Sequence, residues 1–219
     1  LGIIFSNAQT LGGWTLGHLI ALLGVFRLIS TLMFAIVWPN TEKFNQGMRD
    51  GSLDYTLLQP APSLFLVTFT RIVIWRLADL LLAIGLVIVG LRMSGDSVTL
   101  PSLVSFALLL TGGMAIFYSL WIVMMAFTFW FIKFDNNVTI LHALLEAGRY
   151  PATVYPPWLR LIVTFVVPVA VTTTVPVQAL RGELIAWQVA GFLAVAVVIL
   201  ALALQMWRAG VRRYSGASS

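Results

Sequence analysis

The run Leu16-Gly17-His18-Leu19-Ile20-Ala21-Leu22-Leu23-Gly24-Val25-Phe26-Arg27-Leu28-Ile29-Ser30-Thr31-Leu32-Met33-Phe34-Ala35-Ile36-Val37 carries a single charge, Arg27. A helix rises about 1.5 Å per residue, and a hydrocarbon core ~30 Å thick takes about 20 apolar residues to cross. The run is long enough for that, and it is apolar on every face. Similar runs recur at roughly 72–91, 103–132, 159–179 and 185–207. A β-barrel would show alternating segments of about 10 residues instead. The chain reads as an all-α integral membrane protein with five visible spans.

Composition agrees. Charged residues make up 10% of the 219 and mean hydropathy is +0.97, whereas soluble domains carry about 25% charged residues. The chain starts at Leu1, and Leu1-Gly2-Ile3-Ile4-Phe5 lacks the basic flank of a signal peptide. That fragment reads as the end of an earlier span, so six spans are expected in the intact protein, with the first largely missing here.

Basic residues favour cytoplasmic flanks. With the loop after residue 37 inside, Lys43, Arg49, Arg71, Arg76, Lys133, Arg149, Arg160, Arg208, Arg212 and Arg213 fall on or near the cytoplasmic side. Only Arg92 and Arg181 are left outside, with Arg27 inside a span. The single domain then shows its main polar surface at 38–65 and 133–158. The net charge of +5 and pI near 10.1 suit anionic lipid headgroups. Nucleic acid is not an expected partner, because the basic residues form no dense patch with interleaved aromatics. The absence of cysteine excludes disulfides, iron–sulfur clusters and thiolate zinc sites.

An enzyme needs convergent acids, bases or nucleophiles. The carboxylates are scattered, His18 and His142 fall on opposite sides of the bilayer, and no metal-ligand spacing, nucleophile elbow or phosphate loop is present. Charges inside spans carry more information, since each costs about 2.5–3.5 kcal/mol at mid-membrane on insertion scales. Arg76 and Asp79 are spaced to pair on one helix face, and an Arg27–Asp79 contact between helices is within reach. These three residues form either a structural ion-pair network, with Arg76 snorkelling to the surface, or a proton-coupling site centred on Asp79. Pro168 and Pro176 bracket Thr172-Thr173-Thr174; hydroxyls there can satisfy carbonyls that proline frees.

Two polar stretches remain. The first is Arg49-Asp50-Gly51-Ser52-Leu53-Asp54-Tyr55-Thr56-Leu57-Leu58-Gln59-Pro60. Asp50-Gly51 is a turn signal, and Leu53, Leu57 and Leu58 recur at helical spacing, which predicts a short helix at the bilayer edge. It is either a linker that turns the chain or a dock for a soluble protein. The second contains Leu141, Leu144 and Leu145 at helical spacing and a Glu146–Arg149 pair. Beyond it come Tyr150 and Pro151, then Tyr155-Pro156-Pro157-Trp158-Leu159-Arg160. The prolines forbid a continuous helix there.

The order Gly51-x-Leu53-Asp54-x-x-Leu57-x-x-Pro60 resembles a signature of bacterial ABC-2 family transporter permeases. Gly148-Arg149-Tyr150-Pro151 through Arg160, Pro168 and Thr173-Thr174-Val175-Pro176 is similar to that subfamily's later signature, and Gly12-Gly13-Trp14 to its entry into the next span. The resemblance implies an ABC-2 type, type V-like helical bundle of six spans in the bacterial cytoplasmic membrane, with both termini cytoplasmic. It implies export, with two permeases, identical or paralogous, resting on two ATP-binding cassette subunits. ATP and Mg would bind those partners and no cofactor this chain, which would not itself be an enzyme. On this resemblance Gln46, Arg49, Asp50, Asp54, Leu57 and Leu58 are coupling contacts, Gly51 the turn and Pro60 the helix stop. Glu146, Arg149 and Tyr150 are a second cytoplasmic contact or a gate. The readings left beside it are a proton-coupled secondary transporter using Asp79, and a membrane scaffold or enzyme.

Overall fold

The computed structural model describes residues 10, 13–131, 137–166 and 168–214. The span expected before Leu16, and Lys133, lie outside the described residues. Every element among them is helical. In chain order they are α1 Leu16–Leu32, a π-turn Met33–Val37, α2 Trp38–Asp50, α3 Leu53–Leu57, α4 Ser63–Phe69, a 3-10 turn Ile74–Ala78, α5 Asp79–Ser94 and α6 Leu100–Phe127. Then come α7 Asn137–Ala147, a 3-10 turn Ala152–Val154, α8 Pro157–Leu161, a π-turn Ile162–Val166, α9 Val169–Leu180 and α10 Ala186–Arg213. Four helices are long and apolar enough to cross a membrane, five if a bent pair counts as one.

α1 packs antiparallel on α5 through small residues. A Cβ on Gly17 would lie 2.7 Å from the Gly90 carbonyl, and one on Gly24 would lie 2.9 Å from the Ala83 carbonyl. With no solvent to drive helices together inside a membrane, close backbone approach of this kind supplies the van der Waals contact. α6 packs on α9 and α10; Gly113, at the midpoint of its 28 residues, meets the Thr172 carbonyl, to which an added Cβ would come within 2.8 Å. α9 also touches α1 and joins the two halves. The basic end of this bundle carries Lys43, Arg49, Arg208, Arg212 and Arg213. At the opposite end His18 Nε2 lies 2.9 Å from Asp96 Oδ2, and the Arg181 guanidinium stacks over Trp14.

Two sequence boundaries are corrected. The first span, expected to end at Val37, continues as helix to Asp50. Pro39 lacks the N–H that would reach back to Ala35, and the Ala35 carbonyl accepts from Val73 N at 2.9 Å instead. The π-turn before it absorbs the mismatch, with Trp38 N donating to Met33 O. The carbonyl that the proline frees is thus paired, and the proline does not end the helix.

The second concerns 133–158 and 159–179. The expected surface segment is instead α7, which packs on α6, α9 and α2 and runs antiparallel to α6. Leu141 lies in the cluster with Met125 and Phe129, and Leu145 in the one with Phe117 and Val169. At its end the Gly148 carbonyl accepts from Thr173 Oγ1 at 2.6 Å, beside the middle of α6. The expected span 159–179 is bent by 84° between Pro157–Thr164 and Val169–Leu180. α7 and α9 thus meet end to end as two half-helices, and 149–166 forms an excursion at their junction. The threonine hydroxyls serve that junction. Thr172 and Thr174 bond back to Val169 O and Ala170 O, Thr173 bridges to Gly148, and Ala152 N donates to Thr174 Oγ1.

Candidate functional site

The polar element at the basic end is built on α2. Gly51 takes φ +74°, a left-handed conformation that glycine reaches without strain and that ends a helix. Ser52 N then donates to Asp50 Oδ1 at 2.9 Å, which closes the turn into α3. That five-residue helix is too short to hold itself together in water; packing fixes it. Leu53 is buried at 4% exposure in a cluster with Phe44, Phe129 and Trp207, whose three rings meet at 5.4–5.7 Å. Burying one leucine in this way contributes about 1.5–3 kcal/mol.

Hydrogen bonds fix the element to the spans. Asn40 is buried. Its Nδ2 reaches the carbonyls of Ile36, Thr68 and Arg71 at 2.6–2.8 Å, and its Oδ1 accepts from Arg71 N at 3.0 Å. Trp121 Nε1 donates to Thr41 Oγ1 at 2.7 Å, Thr68 Oγ1 and Tyr118 OH are 2.7 Å apart, and Trp207 Nε1 donates to Ser63 Oγ at 3.2 Å. α2, α3 and α4 are therefore one body with the basic ends of α6 and α10.

The outer surface of this body carries some of the expected residues. Gln46, Arg49, Asp50, Leu58, Gln59 and Pro60 are exposed; Leu58 is 82% exposed and Tyr55 76%. A groove of about 270 Å³ between α2, α3 and α4 is lined by Lys43, Gly47, Ser52, Tyr55 and Thr56 among others. Leu57 and Asp54 are half-buried and have inner partners. Leu57 packs against the aromatic cluster. Asp54 accepts a hydrogen bond from Tyr214, whose phenol is pushed up to about 12 by burial first and by this carboxylate second. Sequence reading missed Tyr55, although its place on the helix face away from Leu53 and Leu57 was a usable signal.

The intramembrane network does not form. Among the described residues no ion pair includes Arg27, Arg76 or Asp79. The Arg76 guanidinium sits 5.3 Å over the Phe34 ring. Asp79 is exposed in the first turn of α5, where the helix dipole favours a carboxylate. The contact of the Arg76 guanidinium with the Phe34 ring takes the place of a pair with Asp79. Glu146 and Arg149 do pair, at 3.6 Å. Together with the exposed Tyr150 they lie just beyond the end of α7, at the half-helix junction.

With this geometry, the match to known proteins is specific. The family model described as ABC-2 family transporter protein matches residues 1–218. The chain belongs to the ABC-2 transporter family. It is thus a multi-pass membrane component of an ATP-binding cassette transport system, a family that works with ATP-binding cassette subunits. No curated protein and no solved structure matches the chain. Within this family the polar body at the basic end of the bundle is the surface to consider for contact with those ATPase subunits.

Proposed function

We propose that this chain is the transmembrane permease subunit of a bacterial ABC exporter, and that α2 and α3 form its coupling element. One observation carries the reading: exposed Gln46, Arg49, Asp50, Tyr55 and Leu58 stand on a surface whose inner side, Phe44 and Leu53, is packed into α6 and α10. A surface that is polar and apolar outside but rigidly held inside suits a soluble partner that must move the spans.

In this reading two ATPase subunits bind ATP and Mg, close, and push on α3. The hydrogen bonds of Asn40, Trp121 and Trp207 carry the displacement into α6 and α10. Because α1 runs on into α2 as one helix, the same displacement carries α1, and α5 with it through the glycine seam, so the bundle moves as a body against its partner permease. A second permease, identical or paralogous, completes the route across the inner membrane. Both termini are cytoplasmic, which puts the basic end inside. The half-helix junction with Glu146, Arg149 and Tyr150 serves as the gate, since broken helices at membrane depth are accommodated where they line a cavity.

The test is purification of the full-length protein from its native membrane in mild detergent. A co-purifying soluble subunit with a phosphate loop, whose ATPase activity depends on the permease, is the expected result. Recovery of the protein with no ATPase subunit, under conditions that preserve other ABC complexes, would overturn the reading.

A further inference from the structure

Two grooves at the basic end share a wall. The one of about 270 Å³ between α2, α3 and α4 adjoins a second of about 220 Å³, lined by Lys43, Thr56, Gln59, Phe65, Phe69 and Thr70 among others. Lys43, Thr56 and Thr70 line both. Among the described residues no carboxylate lines either groove, and no ion pair includes Lys43. Glu42 precedes Lys43 but lies about 100° round the helix from it. Thr70 Oγ1 donates to the Leu66 carbonyl. The donors left in the lining of the second groove are the ammonium of exposed Lys43, the Thr56 hydroxyl and the Gln59 amide. Such a set suits an anionic oxygen group.

Hydrogen bonds set the height of this site in the membrane. Val73 N donates to Ala35 O, and Asn40 Nδ2 donates to the carbonyls of Thr68 and Arg71. Residues 68–73 therefore lie level with 35–40, where the apolar run 16–37 ends. Lys43 is about 9 Å of helix rise beyond Val37. The headgroup layer is about 5–8 Å deep on each side of a bilayer, and the long lysine stem bridges the difference. The outer wall of the second groove is apolar. Phe65 and Phe69 are 57% and 44% exposed, with ring centroids 5.1 Å apart, and Ile72, Ile74 and Trp75 extend the exposed apolar surface toward α5. Between Tyr55 and Ala78 the sequence has Arg71 and Arg76 but no Asp or Glu. A cationic hole that opens beside an apolar surface at the bilayer edge matches a phosphate carried on acyl chains.

We infer that this groove binds an anionic phospholipid from the leaflet at the basic end, with its phosphate on Lys43, Thr56 and Gln59 and its chains along Phe65 and Phe69. The lining has no carboxylate to hold an ammonium, so a headgroup without its own cation is preferred to choline. One lipid then touches α2, α3 and α4 together and fastens the short helix α3 to the membrane. Tyr55 lines only the first groove and Leu58 neither, so the outward face of α3 is left for a soluble subunit. The inference stands on the grooves themselves and holds whether or not an ATPase docks there.

The experiment is a titration of the full-length protein in dodecyl maltoside micelles with dioleoyl phosphatidylglycerol, the bound lipid being counted by native mass spectrometry. Dioleoyl phosphatidylcholine is the zwitterionic probe. The first phosphatidylglycerol is expected to bind at least tenfold more tightly than the first phosphatidylcholine, and Lys43→Gln should abolish that preference. Thr56→Val combined with Gln59→Leu leaves the charge unchanged and should weaken phosphatidylglycerol binding several-fold. Lys43→Arg should retain it, which separates charge from folding. Arg212→Gln removes a charge at the same end of the bundle but outside both grooves, and should bind like the wild type. Equal affinity for the two lipids, equal losses in monodisperse Lys43→Gln and Arg212→Gln proteins, or unchanged binding in the Thr56→Val, Gln59→Leu protein would overturn the proposal. Displacement of phosphatidylglycerol by millimolar inorganic phosphate would assign the groove to a soluble anion and overturn it as well; no displacement is expected. Micelle binding needs no ATPase, so its failure is separable from a failure to find the ATPase partner.

Discussion

Thr173 Oγ1 donates a 2.6 Å hydrogen bond to the Gly148 carbonyl, and this bond ties the end of one half-helix to the body of the next beside the midpoint of α6. Both groups are buried. Gly148 directly follows the last residue of α7, and carbonyls at a helix end have no intrahelical partner.

Thr173→Val keeps the shape and removes the donor. The stranded carbonyl costs about 1–2 kcal/mol, reduced where another donor moves in. A melting temperature lower by a few degrees is expected in detergent, with faster cysteine labelling of a probe introduced at Tyr150. Thr173→Ser, which keeps the hydroxyl, restores both.

The glycines of α5 are not equivalent. A Cβ on Gly90 would come within 2.6 Å of the Gly17 carbonyl, whereas one on Gly85 meets nothing within 4 Å. Gly90→Val therefore forces α1 and α5 apart and is expected to lower the yield of folded protein sharply in fluorescence-detection size exclusion. Gly85→Ala is expected to elute and melt like the wild type or slightly better, as alanine favours a helix by up to about 1 kcal/mol over glycine.

Asn40 satisfies backbone groups at Ile36, Thr68 and Arg71 from one buried side chain. Asn40→Leu strands them in the middle of the coupling body, at about 2–4 kcal/mol for more than one unpaired group. Limited proteolysis should cut between residues 58 and 72 in this variant faster than in the wild type. Equal cutting rates would mean that the connection is held by other contacts.

The two faces of α3 should respond differently. Leu53→Asp places a charge in the cluster of Phe44, Phe129 and Trp207 and is expected to unfold the element, losing at least about 3 kcal/mol. Leu58→Asp and Tyr55→Asp alter only exposed positions. They should melt like the wild type yet lower permease-dependent ATPase activity by about tenfold or more, read in the reconstituted complex. If Leu58→Asp and Tyr55→Asp both leave ATPase activity intact, α3 is not the docking face.

Much of this was written in the linear chain. Length and hydropathy are local properties, so the apolar run at 16–37 and its counterparts fixed a helical membrane bundle without reference to any partner residue. The Asp50-Gly51 turn and the Leu53–Leu57 helix were legible for the same reason, since turn chemistry and 3.6-residue periodicity act over one or two turns. Depth and direction were not local. Whether Pro39 ended a helix depended on Val73, distant in sequence, taking the Ala35 carbonyl. Whether 137–147 lay on the surface or turned back along α6 depended on Thr173 meeting Gly148. Leu57 and Leu58 look alike in sequence, and only packing against Phe129 and Trp207 decided that one holds the body together and the other faces outward. Arg27 was visible as a charge in a span, but its lack of a partner emerged only once the fold had placed Arg76 over Phe34 and Asp79 at the start of α5. Pairing is a property of three-dimensional neighbours, and spacing along a chain sets only which pairings are within reach.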